Sequence, residues 1–384
     1  MRTGIATVPL DYGRCPRWLF ERMKRLSRGI VLAIAEEFGI EEFLRRLSDP
    51  VWFQSLGCVI GFDYNSSGLT TTTLGALKEG LRGLESDLGI FVCGGKGKTS
   101  RKTPEQIQSW GEFLGWPMEK IDRLVYASKI SAKVDSSCIQ DLRNPFQIYH
   151  HNLIFTKSGQ WVVLQQGMAP EIQKARRYHW LSSKVRNFVE EPHSGIICDT
   201  RLKPLNLIAK ESRENKEIST GLVKEEPKRF LKDIKMILSK SDSLITQRRF
   251  GNFTEMELND VEFYHHPVEN EKFDLKRLEK TIFFANDQNP KNFEQLLATK
   301  NVGPKTIRAL SLVSEIIYGA KPSYEDPARY SFTVGGKDHV PYSIDLPTYS
   351  NIITILEKAI RRAKMENRER VSAIKRLHSS INYE

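Results

Sequence analysis

The six residues Asn301-Val302-Gly303-Pro304-Lys305-Thr306 constrain this chain more than any other stretch, because they force a tight turn between two segments of helical periodicity. Before them Phe293, Leu296 and Leu297 recur at helical spacing, and after them Ile307, Leu310, Val313, Ile316 and Ile317 do the same. Gly303 is expected to supply the positive φ of the turn. Pro304 belongs in a first helical turn, where its missing N–H has no intrahelical partner. The second helix then opens with free N–H groups at Lys305 and Thr306. With the positive end of the helix dipole and the Lys305 ammonium, they form an anion site suited to a phosphate.

The string Val302-Gly303-Pro304-Lys305-Thr306 resembles the hairpin of the helix-hairpin-helix superfamily over residues 275–320, with Asn301 in place of the usual first glycine. Asn is among the residues most tolerant of left-handed geometry. The resemblance implies binding to the DNA backbone without readout of sequence. In the glycosylase branch of that superfamily the lysine at the position of Lys305 is a Schiff-base nucleophile, and an aspartate follows a Gly/Pro-rich loop. Here Gly319-Ala320-Lys321-Pro322 leads to Asp326, and Asp345 precedes Leu346-Pro347; neither is placed as that pattern requires.

Charge points the same way. Lys plus Arg outnumber Asp plus Glu by 58 to 47, a net charge of +11 that favours a polyanionic partner, DNA above all. A chain of 384 residues accommodates two or three domains with proper cores. Its cysteines, Cys15, Cys58, Cys93, Cys138 and Cys198, are scattered, odd in number and without a CxxC pair. That argues against a disulfide framework or a structural zinc site and for a reducing, cytoplasmic setting. The apolar run from Ile30 to Ala35 is too short for a signal core or a membrane span, so no membrane association is expected.

The expected fold class is α+β: an N-terminal mixed α/β domain with a β-hairpin (1–210), a charged helical connector outside any core (211–262), and an all-α domain carrying the hairpin motif (263–384). Helices are predicted over Pro16–Leu26 and Glu41–Leu47, the latter stopped by Ser48-Asp49-Pro50. Gly57–Phe62 reads as a strand, Thr73–Leu84 as a helix and Gly89–Cys93 as a strand, a β-α-β pattern that puts Asp63 at a strand end, a usual place for a site residue. The following segment, Gly94 to Pro104, carries Lys96, Lys98, Arg101 and Lys102 and no acid, and reads as a basic loop touching a nucleic-acid backbone. It ends like a P-loop at Gly97-Lys98-Thr99, but the required first glycine would fall at Val92, and nucleotide hydrolysis is set aside. Thr103 as cap and Gln106 as its capping-box partner are expected to start the next helix.

Tyr149–Thr156 and Trp161–Met168 form a predicted hairpin. A two-residue loop at Ser158-Gly159 sets Thr156 opposite Trp161, His151 opposite Gln166 and Asn152 opposite Gln165. A last helix is predicted over Pro347–Leu377, with Lys358, Arg361, Arg362 and Lys364 on one basic face.

The densest chemistry surrounds the hairpin. Asp135, Asp141, His150, His151, Gln165 and His179 supply carboxylates, imidazoles and amides, and Asp63 is a further candidate. A metal-dependent phosphodiesterase needs such groups converging on a divalent ion, here Mg²⁺ or Mn²⁺ on Asp135, Asp141 and His151. Adjacent strand residues point to opposite faces, so only one of His150 and His151 can face a given pocket. Arg176 and Arg177 are candidate phosphate clamps, beside Tyr178 and Trp180 as stacking platforms. No Ser-His-Asp triad is readable, and Cys93 or Cys138 would need a neighbouring base to serve as nucleophile.

Over its whole length the chain resembles the archaeal and bacterial family known as domain of unknown function 763. The strings that carry the resemblance are residues 94–104, Tyr149-His150-His151, Gln165-Gln166-Gly167-Met168, Ala175 to Trp180, and Val302 to Thr306. The resemblance implies no activity. The expected function is therefore a DNA-processing or repair enzyme, foremost a metal-dependent nuclease. The alternatives are a glycosylase/lyase using Lys305 and a non-catalytic nucleic-acid-binding protein.

Overall fold

The computed structural model describes residues 15–62, 67–141, 145–198, 202–249, 273–328, 354–358, 360–362 and 367–379. Asp63 and Asp345 lie outside them.

Strands and helices are numbered in chain order. An antiparallel sheet runs in the order β1 (Ile90–Lys96), β3 (Gln147–Thr156), β4 (Trp161–Ala169), β5 (Lys174–Leu181), β6 (His193–Ile197). The short strands β2 (Ile139–Gln140) and β7 (Leu205–Asn206) pair separately. Helices α1 (Arg17–Phe38), α2 (Ile40–Leu47), α3 (Pro50–Val59) and α4 (Gly68–Leu81) cover one face of the sheet, and the single turn α5 (Glu85–Leu88) leads into β1. The other face receives α6 (Thr103–Phe113) and α7 (Met118–Ser137). Beyond α7 come α8 (Arg213–Glu225), α9 (Pro227–Arg249), α10 (Leu275–Asp287), α11 (Phe293–Ala298) and α12 (Pro304–Ile316), of which α11 and α12 pack on α7, while α8, α9 and α10 pack with them and with one another. The fold is thus α+β, with an antiparallel sheet between two helical layers.

Period-two alternation builds both cores from one sheet. Leu153, Phe155, Trp161, Val163, Tyr178 and Trp180 point to the α7 side, while Ile154, Val162 and Leu164 point to the α1–α4 side. Each such apolar side chain contributes about 1.5–3 kcal/mol on burial.

The β-α-β expectation fails at its first strand. Gly57–Phe62 belongs to the end of α3 and the turn after it. Asp49 caps that helix, its Oδ1 accepting from the N–H groups of Val51 at 2.8 Å and Trp52 at 3.2 Å, and Pro50 fills the first turn. Ser48-Asp49-Pro50 is a start as well as a stop. The helix is apolar nearly all round because it is buried nearly all round, and such a run carries no periodicity to separate it from a strand.

The β-hairpin forms, but one residue out of the predicted register. Phe155 faces Trp161, His151 faces Gln165 and Asn152 faces Leu164. The loop is longer than two residues: Thr156 N–H donates to Gln160 O and Gly159 N–H to Thr156 O. A slip of one residue exchanges sheet faces, so it decides which glutamine meets which histidine.

The capping box is also absent. Gln106 Oε1 accepts from Gly94 N–H at 2.9 Å and from Lys78 Nζ at 2.9 Å, and so ties α6 to β1 and α4; Thr103 Oγ1 donates to Ser100 O. Residues 213–237, expected to lie outside any core, supply Leu222, Val223, Phe230, Leu231, Ile234 and Ile237 to the larger one. The C-terminal helical residues 354–362, where described, and α13 (Asn367–Ser379) return to the N-terminal helices. Leu356, Ile360 and Ala373 are buried there, and Arg362 of the predicted basic face pairs with Glu37 at 2.8 Å. Among the described residues no helix is long and apolar enough to cross a membrane.

Candidate nucleic-acid interface

A cleft of about 1010 Å³ opens where α7, α10, the α11–α12 turn, the start of β3 and the 97–102 turn meet. Its wall includes Arg101, Lys129, Lys133, Arg277, Lys305 and Arg308, against the carboxylates Asp141 and Asp274. Arg101, Lys129, Arg277 and Lys305 are exposed. Asp274 is occupied as the cap of α10, its Oδ1 accepting from Arg277 N–H at 3.0 Å. Lys133 is turned to structural use: its Nζ donates to Leu297 O at 2.7 Å and Thr299 O at 2.6 Å, tying α7 to the end of α11.

The α11–α12 turn delivers the start of a helix to this cleft. The left-handed residue is Asn301, φ 70°, and not Gly303, which is extended at φ −144°. Asn accepts this conformation more readily than most residues, so the first position of the turn carries what glycine was expected to carry at the third. Pro304 occupies the first helical position, and the first intrahelical bond runs from Ile307 N–H to Gly303 O at 3.0 Å. The N–H groups of Lys305 and Thr306 precede it and have no helical acceptor. Gly303, Lys305 and Thr306 all line the cleft.

On the floor a polar chain runs from the cleft into the sheet. Ser128 and His151 line the cleft, with Ser128 Oγ 3.0 Å from His151 Nε2. His151 Nδ1 lies 2.7 Å from Gln165 Oε1. Gln165 Nε2 donates to Ser131 O at 3.1 Å and to Asp135 Oδ2. Asp135 also accepts from Trp180 Nε1 at 3.0 Å and contacts His193 Nε2 at 2.5 Å through its other oxygen. Ser128, His151, Gln165 and Asp135 are all buried. Burial holds the His151 pKa below its ordinary value, against the opposing pull of the Gln165 hydrogen bond and the Asp135 charge.

The other candidates lie elsewhere. His150, Arg177 and His179 point to the α1–α4 face. Arg177 donates from Nε to His179 Nε2 at 3.0 Å, from Nη1 to Thr70 Oγ1 at 3.2 Å and from Nη2 to Gln54 Oε1 at 2.8 Å. His179 Nδ1–H in turn donates to Leu47 O at 3.0 Å. Burial lowers the pKa of His179 far below its ordinary value and that of His150 to about 3. Arg176 is fully buried in an ion pair with Asp326 at 2.7 Å, and Asp326 also accepts from Leu202 N–H and Ala328 N–H. Arg176 and Arg177 are therefore internal braces, closed to a substrate phosphate, and Asp326 is committed to Arg176. Tyr178 and Trp180 are buried in the core and cannot stack on a base. Of the four cations of the basic loop Arg101 alone lines the cleft; Lys96, Lys98 and Lys102 are exposed but are not part of its lining. Among the described residues no three His, Cys, Asp or Glu side chains come together as a metal-holding group. Asp135 and His151 are joined through the Gln165 amide, and Asp141 lies on the cleft wall. The Cys93 and Cys138 thiols are pushed up to about 12 by burial, which removes both as nucleophiles.

Sequence reasoning missed Ser128, Lys129 and Arg277. A signal for Ser128 existed: Ser128, Ser131 and Asp135 repeat at helical spacing among Leu124, Ala127, Ile130 and Val134, a polar stripe on a face that is otherwise core.

The model of a family described as protein of unknown function, DUF763, matches residues 4–344. The chain belongs to that family. The DUF763 match takes in the sheet, both helical layers and every residue of the cleft, whereas α13 lies beyond it. No curated protein and no solved structure matches the chain.

Proposed function

We propose that this protein is a DNA-processing enzyme that takes the phosphodiester backbone into the α7–α10–α12 cleft. The observation that carries this reading is the composition of the cleft wall: four exposed cations, Arg101, Lys129, Arg277 and Lys305, line the same cleft as the open N-terminus of α12. Among the described residues none of the four is paired with a carboxylate. Cations on separate elements that converge without acidic partners repel one another, and a row of phosphates relieves that repulsion while releasing its own counterions. The helix-hairpin-helix resemblance of the α11–α12 turn supports DNA as the polyanion, held without sequence readout. In this reading Asp141, a carboxylate on the cleft wall, would share a Mg²⁺ or Mn²⁺ ion with a substrate phosphate, since Mg²⁺ commonly takes one or two carboxylates together with phosphate oxygens.

The test is fluorescence anisotropy with labelled single-stranded and duplex DNA across a salt series, for wild type and Lys129→Ala/Arg277→Ala. Binding should weaken steeply with salt, with a slope of about −0.9 per phosphate neutralised on duplex, and the double variant should flatten it by about 2. Salt-independent binding, or a double variant with the wild-type slope, refutes the reading. Cleavage of end-labelled DNA with Mg²⁺, Mn²⁺ or EDTA, alongside Asp141→Ala, tests the metal.

A further inference from the structure

The amide of Gln165 determines the state of the histidine beside it. Its Nε2 faces two acceptors, Ser131 O and Asp135 Oδ2, so the amide has one satisfactory orientation and its Oε1 must face His151. His151 Nδ1 then carries the proton. Nε2 is left with a lone pair, 3.0 Å from Ser128 Oγ, and the only proton available to that contact is the serine hydroxyl's. A hydroxyl donating to an imidazole whose far nitrogen is held by a fixed acceptor is the arrangement of a base-activated nucleophile. The tautomer is locked from the side opposite the substrate by groups that are themselves locked in the core. A histidine buried only for packing needs no such orientation, and the Ser128 and His151 end of this chain opens on the cleft.

We propose that Ser128 is a nucleophile toward a phosphodiester held in the cleft, with His151 as its general base and Gln165 and Asp135 as positioning residues; this rests on the DNA-backbone reading of that cleft. Ser128 Oγ attacks phosphorus, its proton passes to His151 Nε2, and the bond from phosphorus to the departing ester oxygen breaks as the imidazolium gives that oxygen its proton. A phosphoserine diester remains. Water then attacks phosphorus, gives its proton to His151, and the Oγ–phosphorus bond breaks with the proton returning to Ser128. The sum is hydrolysis of one phosphodiester by one water, with no oxidant or further reactant.

The experiment uses the full chain with Mg²⁺, bis(p-nitrophenyl) phosphate as a small phosphodiester and end-labelled DNA as the large one, for wild type, Ser128→Ala, Ser128→Cys and His151→Ala. Acid-quenched wild type is digested and its peptides weighed for a phosphoryl adduct. Turnover of both substrates should fall at least ~100-fold in Ser128→Ala and His151→Ala. The adduct should map to Ser128, and Ser128→Ala should bind DNA within about twofold of wild type. Should Ser128→Ala fold poorly, Ser128→Cys and the wild-type adduct still decide: an S-phosphoryl adduct on the cysteine, or the seryl adduct, supports the proposal. Turnover unchanged in Ser128→Ala overturns it, as does DNA bound by wild type with neither adduct nor turnover. Turnover of the small diester without DNA binding would sink the DNA reading and leave the dyad standing.

Discussion

His150 and His151 are neighbours in sequence, as are Gln165 and Gln166 and Arg176 and Arg177, and the pleat of the sheet sends one member of each pair to either face. On the α1–α4 face His179 spends both nitrogens inside the protein, on Arg177 and on Leu47 O, and Gln166 donates to Ser67 O and Tyr149 Oη. On the α7 face His151 spends one nitrogen on Gln165 and the other on the hydroxyl of Ser128, a contact that lies at the cleft. The residue types are the same, and the covering helices make the difference. A sealed network only braces; a network with one end at a cleft can exchange that end for a substrate.

The largest effect that tests this division is expected at Gly94, on the strand that edges both networks. Its φ is +98°, and a Cβ there would fall 2.1 Å from His151 O and 2.6 Å from Thr103 Oγ1. Gly94→Ala should cost on the order of 4 kcal/mol in urea unfolding, because β1 must leave β3 to admit the methyl group. A cost under about 1 kcal/mol would mean that the β1 edge can shift and that His151 is less firmly held than the hydrogen bonds imply.

The two glutamines offer a paired comparison next. Gln165→Leu removes the acceptor of His151 Nδ1–H and the donor to Asp135 and Ser131 O, leaving buried partners unsatisfied, for an expected loss of about 3–4 kcal/mol. Gln166→Leu removes two donations but also a buried Oε1 that has no partner among the described residues, and should cost about 1 kcal/mol. Equal losses by chemical denaturation would erase the distinction between the faces.

Much of this was legible in the residues. The existence of the hairpin and of the α11–α12 turn followed from periodicity and turn chemistry, and the polar side chains around the hairpin were in view as a cluster, though not as buried ones. What could not be read was which face each one takes, because that hangs on a loop one or two residues longer than the tightest hairpin allows. A single-residue slip paired His151 with Gln165 in place of Gln166 and so assembled the Ser128–His151–Gln165–Asp135 chain. Arg176 and Arg177 looked like a phosphate clamp because paired arginines on a strand so often are exposed; their burial depends on Asp326, 150 residues away in sequence, and on Gln54 and Thr70 from the first helices. The last turn of α3 read as a strand for the opposite reason, the helix having no polar side to reveal its period.

The histidines give the comparison a pH axis. His150 and His151 both have pKa values lowered by burial, so the unfolded chain binds protons before the native state does as pH falls below the ordinary histidine value of about 6.5. The stability they contribute is complete above that value and declines as pH drops, by at most about 1.4 kcal/mol per pH unit for each group, down to about 3 for His150. Thermal melting between pH 7 and pH 4 should show this decline, and His150→Gln should reduce its slope by about one proton. His151→Gln should do likewise and also abolish turnover. A turnover profile in His150→Gln that matches wild type would assign the sealed face to stability alone.

The smallest expected effect separates cations that line the cleft from cations that do not. Lys305 and Lys98 are both exposed lysines within a few residues of a glycine turn, but only Lys305 lines the cleft. Lys305→Ala should weaken DNA binding modestly and lower the salt slope by about 1, the signature of one lost phosphate contact, while Lys98→Ala should leave the slope unchanged. Neither should alter stability, since a solvated lysine contributes little to folding. Anisotropy at several salt concentrations distinguishes the two. If Lys98 and Lys305 prove interchangeable, the protein attracts DNA through its net charge, and the cleft is not where the backbone lies. If the slope changes only for Lys305, the start of α12 is a phosphate contact, and the distance from that phosphate to Ser128 becomes the next quantity to determine.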